Sequence, residues 1–225
     1  MTLREIISDV REKLKLTSDD IDIQDEYIAH LVNIKRALLI KQRFMKFTRN
    51  LPEEIKQIMC IDLEVIERID GAACFGHVLA SKQTIPNLIE IGGRSALVAI
   101  RTLDILHSNL NIVPVERLPY VGINKWLRDQ IYVALDANNK LYLKSSNDLH
   151  LNLEQIQVIG VVQNPEEADA LSCNTSDDTC EYFDKTYPIE SYLVHDMINL
   201  IVQELSPGLQ LPDDKINNSD ESNRN

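Results

Sequence analysis

The spacing of apolar residues changes twice along this chain, and the change limits the folds open to it. From Leu3 to about residue 58, apolar side chains recur every three or four positions, as along one side of a helix. From residue 59 to 163 they alternate, as on a strand with one buried face. Beyond residue 164 helical spacing returns and then fades. A chain of 225 residues can bury one core, or a core with a small subdomain. The expected class is α+β: N-terminal and C-terminal helices forming a helical bundle, a β-rich middle insertion, and an extended C-terminal tail. The matching divisions are 1–58, 59–163, 164–205 and 206–225.

Local signals set the elements. Thr2 and Glu5 fit a capping box, and Leu3, Ile6, Ile7, Val10 and Leu14 predict a helix over 3–15. Thr17-Ser18-Asp19-Asp20 punctuates it. Tyr27, Leu31, Ile34, Leu38 and Met45 form the apolar stripe of a second helix over about 23–47. Pro52 suits the first turn of a short helix after Asn50. Ile61, Leu63 and Val65 then read as a half-buried strand. Ile85–Ile91, Leu97–Ile100 and Ile112–Val115 are further strand candidates, with Gly92-Gly93 as a turn. The clearest hairpin joins Ile131–Leu135 to Lys140–Leu143 through Asp136-Ala137-Asn138-Asn139. Gln155–Val162 is the last strand, and Asn164-Pro165 caps a short helix. Residues 172–187 read as a polar loop. Pro188 opens a helix with Ile189, Leu193, Met197, Leu200, Ile201 and Leu205 on one face, ended by Ser206-Pro207-Gly208. The remaining tail is polar and is expected to be disordered alone in solution.

Charge is unevenly spread. The net charge is −12, and residues 164–225 hold fourteen acids against three bases. Lys35, Arg36, Lys41, Arg43, Lys46 and Arg49 occur with no acid between Glu26 and Glu53. A basic helix face and an acidic end can attract each other between copies of one chain. No apolar run is long enough to span a bilayer, and Met1–Glu5 lacks the apolar core of a signal peptide. A cytosolic origin is expected, and with it four free thiols at Cys60, Cys74, Cys173 and Cys180.

Candidate chemistry is sparse. Gly92-Gly93-Arg94-Ser95 lacks the Gly-Lys-Ser/Thr ending of a phosphate loop. None of His30, His77, His107, His150 and His195 has a second ligand one helical turn away, so no metal site is expected. Ser191, His195 and Asp196 resemble a catalytic triad only in composition, because the serine sits on a regular helix rather than a strained elbow. No catalytic residue and no cofactor are expected. Trp126 serves either an interface or the core. A rival reading uses the basic helix 23–47 to bind nucleic acid in a phage or host regulatory protein.

Several segments taken in order carry a resemblance. They are Asn50–Gln57, Ser81–Pro86, the Ile131–Leu143 hairpin, Val158–Glu167, Tyr187 through Leu205, and Leu211–Asn218. Together they resemble the head-to-tail connector proteins of crAss-like phages and, more distantly, the tail adaptor or tail tubular proteins of short-tailed phages. The resemblance implies a virion structural protein without catalytic residues, assembled in the host cytoplasm. It implies a twelve-copy neck ring beneath the portal protein, beside other neck and tail ring proteins. Genomic DNA would pass through its channel without sequence-specific binding. It further implies that the C-terminal arm, with Leu209, Leu211, Pro212, Asp213, Asp214, Asn217 and Asn218, reaches a neighbouring component. The basic helix is then expected to face protein, leaving an acidic lumen.

Overall fold

The computed structural model describes residues 1–15, 23–45, 51–66, 78–103, 108–122, 125–127, 129–173 and 179–209. The Thr17–Asp20 punctuation, Lys46, Arg49, Asn50, Cys74, His77, His107 and the arm from Leu211 to Asn218 lie outside the described residues.

The molecule is organised around a sheet, which overturns the expected helical bundle with a β insertion. Seven strands form a mixed sheet: β1 (Gln57–Ile66), β2 (Val78–Ser81), β5 (Leu97–Thr102), β6 (Asn111–Ile112), β7 (Tyr132–Leu135), β8 (Leu141–Lys144) and β9 (Gln155–Gly160). Their order is β5-β9-β1-β2-β8-β7-β6, with β3 (Glu90–Ile91) and β4 (Arg94–Ser95) as a separate ribbon. All neighbours in the large sheet are antiparallel except β6 and β7. The sheet nearly closes on itself. Leu110 N–H donates to the Ile100 carbonyl at 2.8 Å, Thr102 N–H to Ser108 at 3.2 Å, and Arg101 bridges Asn109. Closure removes open edges, the main liability of a sheet.

Alternation decides what fills this barrel. Met59, Ile61 and Leu63 of β1, Leu141 and Leu143 of β8, and Ile156 and Val158 of β9 point inward and are buried together. Tyr132 and Ala134 of β7 point outward, where Leu118 from a 3-10 turn over Val115–Tyr120 covers them. Neither that turn nor β2 follows from the spacing of apolar residues. The predicted strand over Ile85–Ile91 is mostly irregular, reduced to a bridge between Leu88 and Val162 and to β3. β1 starts at Gln57, four residues before the sequence pattern placed it, directly after a 3-10 turn at Glu53–Ile55.

Three helices pack on each other: α1 (Leu3–Lys15), α2 (Asp25–Phe44) and α4 (Ser191–Leu209). A fourth, α3 (Pro165–Asp169), lies against β1. α1 begins with the reciprocal capping box its sequence predicts. Thr2 N–H donates to Glu5 Oε2 at 2.8 Å, and Glu5 N–H to Thr2 Oγ1 at 3.2 Å. Its stripe of Leu3, Ile6, Ile7, Val10 and Leu14 meets Ile28, Leu31 and Val32 of α2, and Leu193, Met197 and Ile201 of α4. Each such side chain contributes roughly 1.5–3 kcal/mol on full burial. α4 begins at Ser191, after an irregular 188–190 lead-in, and runs past Ser206 to Leu209.

The buried face of α2 is not the predicted one. Ile28, Leu31, Val32, Arg36, Ile40 and Phe44 face inward, whereas Tyr27, Ile34, Leu38 and Met45 are exposed. The helix is apolar over much of its circumference, so spacing alone fits two stripes about one residue apart. Ile40 and Phe44 pack with Leu51, Ile55, Ile89, Ile91, Ala96 and Val161, which joins the helices to one end of the barrel.

Cys60 and Cys173 form a disulfide across 113 residues of sequence, which corrects the expectation of free thiols. Two distant segments meet there: Cys60 lies on β1, and its N–H donates to the Leu171 carbonyl at 2.7 Å. Residues 171–173 thus meet β1 at Cys60, on the side where β2 pairs only from Leu63 onward.

Candidate assembly surfaces

The six predicted interface bases separate on folding. Arg36 is fully enclosed. Its Nε donates to the Pro188 carbonyl at 2.6 Å, Nη1 to Val162 at 2.8 Å and Nη2 to Ile55 at 3.4 Å. The guanidinium also lies over the Tyr187 ring, 5.8 Å from its centroid. A planar five-donor group can serve three carbonyls from three segments at once, which an ammonium cannot. Burial lowers its pKa, while the Tyr187 and Tyr182 hydroxyls work in the opposite sense. Tyr187 OH donates to Asn33 Oδ1 at 2.7 Å, and Asn33 Nδ2 reaches Asn164, whose side chain caps α3. This polar knot fixes α2 against the end of β9, the start of β1 and the segment leading into α4. Arg36 is therefore unavailable to a partner.

Lys35 is half-buried and pairs with Glu204 of α4. Lys41 and Arg43 are exposed, and Arg43 lies over the Tyr192 ring at 5.8 Å. A continuous basic face for nucleic acid is thus absent among the described residues of α2. The exposed side of that helix instead carries apolar side chains interspersed with His30, Lys41 and Gln42. Tyr27 is 49% exposed, Ile34 42%, Leu38 40% and Met45 63%.

The second exposed surface lies at the opposite end of the barrel, where β1, β5 and β8 finish and β2, β7 and β9 begin. Trp126 is 86% exposed, Tyr120 74% and Leu149 70%, with Leu127 beside Trp126. This settles the Trp126 alternative in favour of the surface. Polar contacts gather these loops: Ser146 Oγ donates to the Gly122 carbonyl at 2.7 Å, Lys144 Nζ to Pro119 at 2.9 Å, and Asn147 Nδ2 to Asp129 at 3.2 Å. Gly122 has φ +79°, a backbone conformation that favours glycine. The sequence signal for this surface was a cluster of large apolar residues in segments without strand or helix periodicity.

Neither of two clefts among the described residues gathers the side chains of a catalytic centre. One, about 580 Å³, lies between barrel and helices and is crossed by the Lys185–Asp169 ion pair at 2.9 Å. The other, about 520 Å³, opens at the loop end beside Thr102, Gln130 and His150. His150 is buried and its Nδ1 lies 2.7 Å from the Asn147 carbonyl, a structural contact. Ser191, His195 and Asp196 are exposed on α4, and His30 on α2. Among the described residues, no three His, Cys, Asp or Glu side chains gather to hold a metal. Of the predicted arm, Leu209 closes α4 and the rest lies outside the described residues.

The phage tail ring protein 2 family matches residues 5–223. Ring protein 2 of Bacteroides phage crAss001 is 33% identical over 221 residues, covering 97% of this chain and 96% of the relative. A match that runs through helices, barrel and tail alike concerns the whole architecture rather than one motif. With two unlike apolar surfaces, a structural ring component is the coherent reading, and this chain belongs to the phage tail ring protein 2 family of crAss-like phages, a structural component of the virion.

Proposed function

We propose that the chain is one subunit of a ring in the phage neck, placed between the portal protein and the tail and surrounding a channel for genomic DNA. The observation that carries this reading is the family match over residues 5–223. Twelve copies close the ring, in step with the connector proteins that the sequence resembles. DNA passes without sequence-specific contacts, since tight phosphate binding would slow its passage. Lys41 and Arg43 face protein rather than the lumen. The C-terminal segment bearing Leu209, Leu211, Pro212, Asp213, Asp214, Asn217 and Asn218 docks on an adjacent neck component, ordering itself at an entropic cost as it binds. The subunit performs no catalysis. Cryo-electron microscopy of intact virions tests the proposal. The expected result is density for this chain as a twelve-fold ring next to the portal. A ring elsewhere in the tail, or Lys41 and Arg43 lining the pore, overturns it.

A further inference from the structure

The geometry points to a specific contact between copies: the loop end of one subunit docks on the outer face of α2 of the next. This rests on the ring reading and names the surfaces that close it. A ring is built from a heterologous contact, in which one patch meets a different patch on the neighbouring copy. Two unlike exposed apolar patches stand at opposite ends of the described structure. One is the α2 stripe of Tyr27, Ile34, Leu38 and Met45; the other holds Tyr120, Trp126, Leu127 and Leu149.

Their sizes suit the role. An aromatic side chain of the second patch buries roughly 150–250 Å², against about 800 Å² per partner in a standard interface. Exposed tryptophan and tyrosine are the usual anchors of such contacts. Local charge fits as well. Leu149 stands between Asp148 and Asp129, which Asn147 holds in the same corner. On α2, Lys41 stands between Leu38 and Met45, with no acid from residue 27 to residue 52. A leucine flanked by carboxylates can settle beside a lysine flanked by apolar side chains, pairing both charges at the rim. The Trp126 side of the loop end carries Lys125 and Arg128 in sequence, so the acidic character belongs to the Leu149 corner.

Carbodiimide coupling of intact virions, followed by peptide mass spectrometry, tests the contact. The reagent joins a lysine amine to a carboxylate as an amide, with loss of water to the reagent, and adds no spacer. The expected product links Lys41 to Asp129 or Asp148 in a species of twice the chain mass. Coupling of Lys41 to a different virion protein, or no coupling at Lys41, overturns the inference while leaving the ring reading intact. Absence of the chain from purified virions overturns the ring reading itself, and this contact with it.

Discussion

At one end of the barrel a cation is enclosed, and at the other a tryptophan is left in water. The helical end joins Arg36, Tyr187, Asn33 and Asn164 into one hydrogen-bonded knot, beneath a cluster running from Ile40 to Val161. The loop end also uses polar contacts, between Ser146 and Gly122 and between Asn147 and Asp129, but these hold apolar side chains outward. The contrast teaches that polarity alone does not mark the working surface. In this chain the charged residue is the internal fastener, and large apolar residues are what stays exposed.

Breaking the knot should have the largest effect. Arg36→Met removes the guanidinium donor from three carbonyls at a buried site, and a loss of at least about 1–3 kcal/mol, the cost of one buried unsatisfied acceptor, is expected. The midpoint of urea unfolding checks this. Arg36→Lys should recover little, because one ammonium cannot span carbonyls from Pro188, Val162 and Ile55.

Opening the Cys60–Cys173 bond comes next. It closes a long loop, and its loss should cost about 2–4 kcal/mol in the reduced protein. Thermal unfolding with and without reductant reads the difference, and a Cys60→Ser, Cys173→Ser double variant should be insensitive to reductant.

Alkaline pH should weaken the helical end selectively. Burial raises the Tyr187 phenol above its ordinary value, with the Arg36 cation opposing in part. The unfolded chain ionises from about pH 10 while the folded state resists, so stability is full below that pH and falls above it. The limiting slope is about 1.4 kcal/mol per pH unit for one phenol. Urea midpoints at stepped pH check the slope, and Tyr187→Phe should reduce it, leaving the part due to Tyr182, whose phenol burial also raises.

At the loop end the effects should be smaller. Gly122→Ala places a Cβ against Ser146 Oγ at a positive φ, and about 1–2 kcal/mol is expected. Smallest of all, Lys41→Ala should change stability by less than about 0.5 kcal/mol. If Lys41→Ala proves as costly as Arg36→Met, the contrast between fastener and surface is wrong.

Short-range features could be read before folding was known. The capping box of α1, its five-residue stripe, the β7–β8 hairpin with Asn139 at φ 58°, and Asn164 as the cap of α3 all follow from residues a few positions apart. Resemblance supplied the family, which no single residue did. The candidate site was legible only in part. Lys41 and Arg43 lie on the exposed side of α2, but helical spacing does not distinguish Arg36 from them, and it assigns the apolar face of α2 to the core.

Those errors share a cause. Which stripe of α2 turns inward depends on what α1, α4 and the 89–96 ribbon present to it, and α4 and that ribbon lie far away in sequence. Arg36 became buried because carbonyls of Ile55, Val162 and Pro188 converge on one point. Cys60 meets Cys173 by the same kind of convergence. Local sequence chemistry settles how each helix starts and each hairpin turns, because the interacting atoms are already neighbours. Which surfaces are hidden is settled by the packing of remote segments, because burial is a property of what arrives from elsewhere.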